Sequence, residues 1–318
     1  MPVRDAESSS NKRRSGAGSE GQGGSRDRDR ERARNAPRPA RPPSVRKTLD
    51  ASGIRPSKSM GQNFLHDPAI VQRIIAAADI QPTDTVVEIG PGLGAMTTEL
   101  VKVAGRVVTI ELDRELAHRL RQTLPDVEVV EADALDVPVD EIVDGPYLLV
   151  ANLPYSVGTA IVRRWQELSH PPRTLTVMLQ REVVERMAAT PPDMGLLSVG
   201  VQFYGSPRLL FHIDGAAFYP VPRVESSVIQ ITSHPAPLPI EEHRLFFRVV
   251  AAGFAARRKQ LLNTLAHGLH LEREVIREAL ITARIAPELR AERLTVEDWL
   301  RVYAALRPFL PPVRLPAA

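Results

Sequence analysis

Between residues 85 and 189 the chain alternates short runs rich in β-branched residues with stretches of helical spacing. That rhythm restricts the fold more than any other feature. The strand-like runs are 85–89, 107–111, 127–130, 147–151 and 174–179, and helical spacing covers 95–104, 114–123, 160–168 and a segment through about 189. Parallel strands require crossover connections, and helices laid over both faces bury their sheets, so this order predicts an α/β fold with a mostly parallel sheet. Two further strand-like runs, 202–213 and 226–232, predict an antiparallel pair at one edge. Upstream, Asp67-Pro68 reads as an N-cap followed by proline at the first helical position. Ile70, Ile74, Ile75 and Ala78 then recur at helical spacing.

The ends of the chain have a different character. Residues 1–57 are rich in Gly, Ser, Arg and Pro and lack apolar periodicity, the signature of a segment that cannot bury enough surface to fold. Residues 232–240 (TSHPAPLPI) form a Pro-rich linker. Beyond it only helical patterns occur, at 241–256, 258–268, 272–282 and 296–307, the last opening on a capping-box-like Thr295 and Asp298. The expected organisation is a disordered tail at 1–57, an α/β domain at 58–232 and a small all-helical domain at 241–318.

Charge follows the same division. The net charge is +3, but residues 1–50 carry a balance of +6, residues 51–199 one of −7 and residues 200–318 one of +4. A negative middle between positive ends suits a protein that holds a cationic small ligand centrally and a polyanion at its edges. The absence of cysteine excludes disulfides and thiolate metal sites, and the 8 histidines show no HExxH-like spacing, so no metal is expected. No apolar run approaches the length of a membrane span, and the N-terminus has no apolar signal core. The expectation is a cytoplasmic protein with no membrane partner and, with no dimer seam in the pattern, a monomer.

Four places at the ends of the strand-like runs carry chemistry. Gly90-Pro91-Gly92-Leu93-Gly94 follows the first run and lets backbone approach a ligand at the carboxyl edge of the sheet. An ordinary tight turn is the alternative. The spacing is GxGxG, not the GxGxxG of dinucleotide sites, which argues against a nicotinamide reading. Glu111, twenty-one residues beyond Gly90, ends the second run, where an acid can accept both hydroxyl hydrogens of a ribose or cap the following helix. Asp133 follows the third run and could accept from an adenine amino group or be a solvated loop acid. Asn152-Leu153-Pro154-Tyr155 follows the fourth run. An adenine amine is a poor nucleophile because its lone pair is delocalised into the ring. Acceptors on its hydrogens, the Asn152 side-chain oxygen and the Leu153 carbonyl, would draw it towards tetrahedral geometry. Pro154 has no N–H to compete, and Tyr155 offers a face for an extruded base.

Eight segments in order now suggest kinship: KSMGQNFL (58–65), VVEIGPGLGAMT (86–97), VTIELD (108–113), EADALD (131–136), NLPY (152–155), MLQREVVERM (178–187), FYPVPRVESSVI (218–229) and GFAARRKQLLN (253–263). Together they resemble the KsgA family (also called RsmA), the 16S ribosomal RNA adenine N6-dimethyltransferases, which are relatives of the Erm methyltransferases. The resemblance implies a Rossmann-like class I methyltransferase sheet, S-adenosylmethionine as methyl donor, and dimethylation of two adjacent adenines near the 3′ end of 16S RNA in the assembling small ribosomal subunit. It implies that Asn63, Leu65, Gly90, Gly92, Glu111, Asp133 and Asn152 line the cofactor site. Asn152, Leu153, Pro154 and Tyr155 would hold the target amine, and Phe218 would stack on the other face of the adenine.

Arg257-Arg258-Lys259 places three cations in succession at an expected helix end, where they either contact RNA phosphates or complement the helix dipole. His66, His212 and His243 read as structural or solvated. Two rival functions remain at this stage, an Erm-like 23S RNA methyltransferase and a non-catalytic ribosome-assembly factor on the same scaffold. A nicotinamide dehydrogenase has no use for NLPY or FYPVPRVESS.

Overall fold

A computed structural model of the chain describes residues 63–311. The expected tail at 1–57 and the start of KSMGQNFL therefore lie outside the described residues. Strands β2 (Thr85–Ile89), β3 (Arg106–Glu111), β4 (Glu128–Glu131), β5 (Tyr147–Asn152), β6 (Thr174–Gln180), β7 (Gly205–Ile213) and β9 (Ser226–Ser233) form one sheet in the order β4-β3-β2-β5-β6-β9-β7. Strands β2 to β6 pair in parallel, and β9 runs antiparallel between β6 and β7. The expected antiparallel pair thus stands at one edge, with β7 outermost and a register shift between Leu209 and Phe211. A separate two-stranded ladder joins β1 (Phe64–Leu65) to β8 (Phe218–Tyr219), a pairing of residues far apart in the chain that no local pattern announces.

The crossovers form for local reasons. Helix α1 (Pro68–Ala77) starts where Asp67 Oδ1 accepts from the Ala69 amide at 2.9 Å, with Pro68 in its first turn, and it buries Val71, Ile74 and Ile75. Helix α3 (Arg114–Thr123) is capped by Asp113, whose carboxylate accepts from the amides of Glu115 and Leu116. Such a cap stabilises a helix by about 1 kcal/mol. The expected helix at 95–104 is shorter, with α2 confined to Thr97–Leu100. Beyond it the Lys102 and Val103 amides bond three residues back, to Glu99 and Leu100, so the helix tightens into turns.

The chain leaves β2 for β3 and β4, then crosses back to β5 and β6. The strand order therefore reverses between β2 and β5, and their carboxyl ends splay around a crevice, the usual ligand position in open α/β sheets. Helix α4 (Gly158–Gln166) follows β5, and α5 (Arg181–Met187) follows β6. Gly158 lets α4 start close to the sheet, since a Cβ there would lie 2.2 Å from Leu179 Cδ2 and 3.3 Å from Leu153 Cβ.

One helix was not foreseen. Leu196–Gln202, in a stretch too short and too β-branched to show helical spacing, forms α6, with the Ser198 hydroxyl accepting from the Gly195 amide at 2.7 Å. It leads into the helical part, α7 (Ile240–Gly253), α8 (Leu261–Leu269), α9 (Arg273–Thr282) and α10 (Val296–Leu306). Helix α10 opens on the anticipated capping box, Thr295 accepting from the Asp298 amide and Asp298 from the Thr295 amide. The core of these helices is built around Trp299, Phe246 and Leu265, all fully buried, and it takes in Met194, Val199, Phe203 and Tyr204 from around α6. Phe203 stacks on Phe246 with ring centroids 4.8 Å apart. The packing boundary therefore does not coincide with the Pro-rich linker, because α6 faces both cores: Val199 packs among the helices, whereas Val201 and Leu197 pack against the sheet.

Among the described residues no helix is long and apolar enough to cross a membrane, and no cluster of three potential metal ligands occurs.

Candidate active site

A cavity of about 330 Å³ opens at the carboxyl ends of β2, β3, β4 and β5. It falls at the lower end of the range typical of small-molecule sites. Its wall includes Asn63, Leu65, Gly90, Gly92, Glu111, Asp133, Asn152, Leu153, Pro154 and Tyr155. Every cofactor-site candidate and the whole NLPY segment thus meet in one place, although they are spread over some ninety positions of sequence.

The floor is the glycine turn. Gly90, Gly92 and Gly94 have φ of 66°, 57° and 83°, a region that L side chains rarely adopt. At Gly92 space as well as conformation is limiting, because a Cβ would approach the Phe64 ring to 3.1 Å. Glu111 secures the turn: its Oε2 accepts from the Gly92 amide at 3.0 Å and its Oε1 from the Asp113 amide at 3.0 Å. A carboxylate has about four acceptor positions, so each oxygen retains capacity for a further donor such as a ribose hydroxyl. Burial pushes the Glu111 carboxyl above the usual carboxylate range, against the lowering effect of those amide bonds.

Asp133 sits on a turn held from behind. Its Oδ1 accepts from the Leu135 amide at 2.9 Å. The Trp165 indole and Arg164 guanidinium of α4 donate to the carbonyls of Ala134 and Leu135 at 3.0 and 3.2 Å. Helix α4 thereby fixes the loop that carries the acid.

The NLPY segment is moored in three directions. The Leu153 amide donates to the Met178 carbonyl of β6 at 3.2 Å. The Asn152 side-chain nitrogen donates to the Asn63 carbonyl at 3.1 Å. The Tyr155 hydroxyl lies 2.6 Å from the Ser226 hydroxyl of β9. With its NH₂ committed to Asn63, Asn152 has its Oδ1 left as the group that can accept. The Leu153 carbonyl accepts no hydrogen bond from a described residue. Pro154, lacking an N–H, offers its carbonyl to the amides of Val157 and Gly158 and so starts the turn into α4.

Phe218 is elsewhere. Its side chain is 1% exposed and packs with Leu65, Phe211, Ala217 and Val228 in the core layer beneath β1 and β8. It does not line the cavity, unlike the other residues expected at the site. The ring is apolar and core partners are at hand, whereas Tyr219, one residue on and facing the other way, is half-buried near Phe64.

Arg257, Arg258 and Lys259 are exposed, and among the described residues they form no side-chain ion pair or hydrogen bond. Helix α7 ends at Gly253, so the three cations stand in the turn before α8, not in a last helical turn. The dipole acts within that last turn, which leaves it no strong hold on them. The histidines sit as anticipated: His243 lies between the Tyr204 hydroxyl and the Leu238 carbonyl, His212 beside the Ser227 hydroxyl, and His66 at the surface.

Two residues, one in the cavity wall and one behind it, escaped the sequence reading. Glu88 is fully buried in β2 and lines the cavity. Its Oε2 accepts from the Thr97 hydroxyl at 2.6 Å, while its Oε1 has no hydrogen-bond partner among the described residues. Burial pushes its carboxyl up to about 8; the Thr97 bond opposes the rise and the Glu111 charge adds to it. A carboxylate inside an otherwise apolar strand run was the available signal. Ser226 is the other, outside the cavity wall but bonded to Tyr155, and only the long-range pairing of β9 brings the two together.

Comparison with known proteins gives a consistent set of relatives. The family model described as ribosomal RNA adenine dimethylase matches residues 54–307. A protein of Dehalococcoides mccartyi named ribosomal RNA small subunit methyltransferase A is 40% identical over 264 residues, covering 81% of this chain and 91% of its own. The protein of that name from Moorella thermoacetica is 43% identical over 271 residues, covering 80% and 94%. Among solved structures, the 23S rRNA methyltransferase ErmE matches with a TM-score of 0.62 and 27% identity, over 77% of this chain and 99% of its own. A dimethyladenosine transferase from Plasmodium falciparum shares the fold, with a TM-score of 0.65 and 22% identity over 77% and 98%.

Proposed function

The chain belongs to the ribosomal RNA adenine dimethylase family, and from that membership we propose that it transfers methyl groups from S-adenosylmethionine to the N6 amines of two adjacent adenines near the 3′ end of 16S ribosomal RNA. The relatives named ribosomal RNA small subunit methyltransferase A support the small subunit as the source of that RNA. The enzyme acts as a cytoplasmic monomer on the assembling subunit.

The residues present fit the methyl donor. Glu111 has spare acceptor capacity for a ribose diol, the positive-φ glycines clear room for the ligand against the backbone, and the unpartnered Glu88 Oε1 offers a buried acceptor for a cationic ligand. When bound, S-adenosylmethionine supplies an electrophilic methyl on a sulfonium. The protein's part is to bind it beside the target and to prepare the amine.

The observation that carries the reading is the orientation of Asn152. Its NH₂ donates to the Asn63 carbonyl, which leaves Oδ1 as an acceptor in the wall of the same cavity as the glycine turn and Glu111. Asn152 Oδ1 and the Leu153 carbonyl take the two amine hydrogens and localise the nitrogen lone pair, while Tyr155 provides a stacking face. Attack then depends on position and polarisation rather than on a strong base, and the released proton passes to water. Arg257, Arg258 and Lys259 contact phosphates irrespective of sequence.

Asn152→Ala tests this directly. Loss of one preorganised polar contact of this kind lowers turnover by about 10²–10³-fold. The expected result is that loss with ribosomal RNA affinity retained, measured by filter binding and labelled transfer. Normal turnover by the variant would remove Asn152 from the mechanism.

A further inference from the structure

Tyr155 stands in a turn outside regular secondary structure, between β5 and α4, with exposed Ser156 and Val157 beside it. A platform built there owes little of its orientation to its own backbone. The far end of its ring, however, reaches Ser226, with the two hydroxyl oxygens 2.6 Å apart. Ser226 is fully buried and is the first residue of β9, opposite Gln180 on β6 and Ile213 on β7. The residue before it is fixed as well: the Arg181 amide donates to the Glu225 carbonyl at 2.9 Å, and the Arg181 guanidinium pairs with the Glu225 carboxylate at 2.7 Å. The end of the contact held within the sheet is therefore the serine, and the tyrosine is the end that it can position.

We propose that Ser226 is a positioning residue for methyl transfer: its hydroxyl anchors the outer end of the Tyr155 ring on which the target adenine lies, and this anchor matters most for the second methylation of each amine. The inference rests on the adenine-N6 reading given above. The second clause follows from hydrogen-bond counting. An unmethylated amine offers two N–H groups to the Asn152 and Leu153 acceptors, but after one transfer only one N–H remains. Half of the polar restraint on the base is then gone, and the stacking face has to supply a larger share of the orientation. A ring free to rock would still permit the first transfer and would impair the second.

The experiment follows turnover and product composition with undermethylated small subunits and labelled S-adenosylmethionine, comparing the wild type, Ser226→Ala, Tyr155→Phe and the double variant. Loss of one hydrogen bond of this type predicts about a five- to tenfold fall in kcat for each single variant. The KM for S-adenosylmethionine stays unchanged, and N6-monomethyladenosine accumulates at the expense of the dimethylated product. Because both changes break the same contact, the double variant behaves like either single one. Multiplying effects, or a wild-type product ratio in the single variants, would overturn the proposal. If Ser226→Ala does not fold, Tyr155→Phe carries the test alone, since it keeps the ring and removes only the hydroxyl; a wild-type product ratio there is equally fatal. Failure of the underlying reading looks different, because the wild-type protein itself would then transfer no methyl to adenine.

Discussion

Glu88 should make the stability of the ligand-free protein fall as pH rises, and Glu88→Gln should remove that dependence. The carboxyl is fully buried, one of its oxygens is unpartnered, and its pKa is pushed from 4.5 up to about 8. Below about pH 4.5 both folded and unfolded forms are neutral and the site carries no penalty. Between that point and about pH 8 the unfolded chain ionises first, so the native state loses about 1.4 kcal/mol per pH unit. Above about 8 both forms are ionised and the penalty is constant. A shift of that size caps the total at about 5 kcal/mol, a large part of the stability of an ordinary domain. Glutamine matches the shape of the neutral carboxyl and can still accept from Thr97. Urea unfolding of both proteins at about pH 5 and about pH 8.5 measures the difference. The wild type should lose roughly 2–5 kcal/mol more than the variant over that range. Glu111, whose carboxyl is also raised by burial, acts in the same direction in both proteins and largely cancels. Parallel pH profiles for the two proteins would refute the argument.

The remaining predictions concern packing and RNA. Gly158→Ala sets a methyl group 2.2 Å from Leu179 Cδ2 in the packed start of α4. It should destabilise by about 1–3 kcal/mol, read as a lowered urea midpoint. Replacing Arg257, Arg258 and Lys259 together by alanine should weaken ribosomal RNA binding and reduce the salt slope of log K by about 2–3. S-adenosylmethionine affinity, measured by calorimetry, should be unchanged, because the three side chains stand in the turn before α8 and do not line the cavity.

What the sequence made legible was local. The strands 85–89 and 174–179 and the helix 114–123 announce themselves by composition and spacing within about ten residues, and the structure places them within a residue of those bounds. The Asp67 and Thr295 caps are likewise short-range chemistry. The gathering of Gly90, Glu111, Asp133 and Asn152 in one cavity followed from a general property of parallel sheets, in which successive strand ends share one edge. What stayed hidden depends on contacts between distant segments. The β1–β8 ladder pairs Leu65 with Phe218, and that pairing buries the phenylalanine that the family resemblance had set against the base. Helix α6 is too short to show a period, and its place is set by long-range packing of Val199 among the helices and of Val201 against the sheet. Ser226 could not be connected to Tyr155 without knowing that β9 inserts beside β6.

The central claim is that the cavity presents an adenine amine of small-subunit RNA to a bound methyl donor. Incubation of the protein with labelled S-adenosylmethionine and undermethylated ribosomal subunits, followed by nucleoside analysis of each RNA, tests it most directly. Label recovered as N6,N6-dimethyladenosine in 16S RNA is the predicted result. Label confined to 23S RNA, or no label despite measurable donor and ribosome binding, would contradict it.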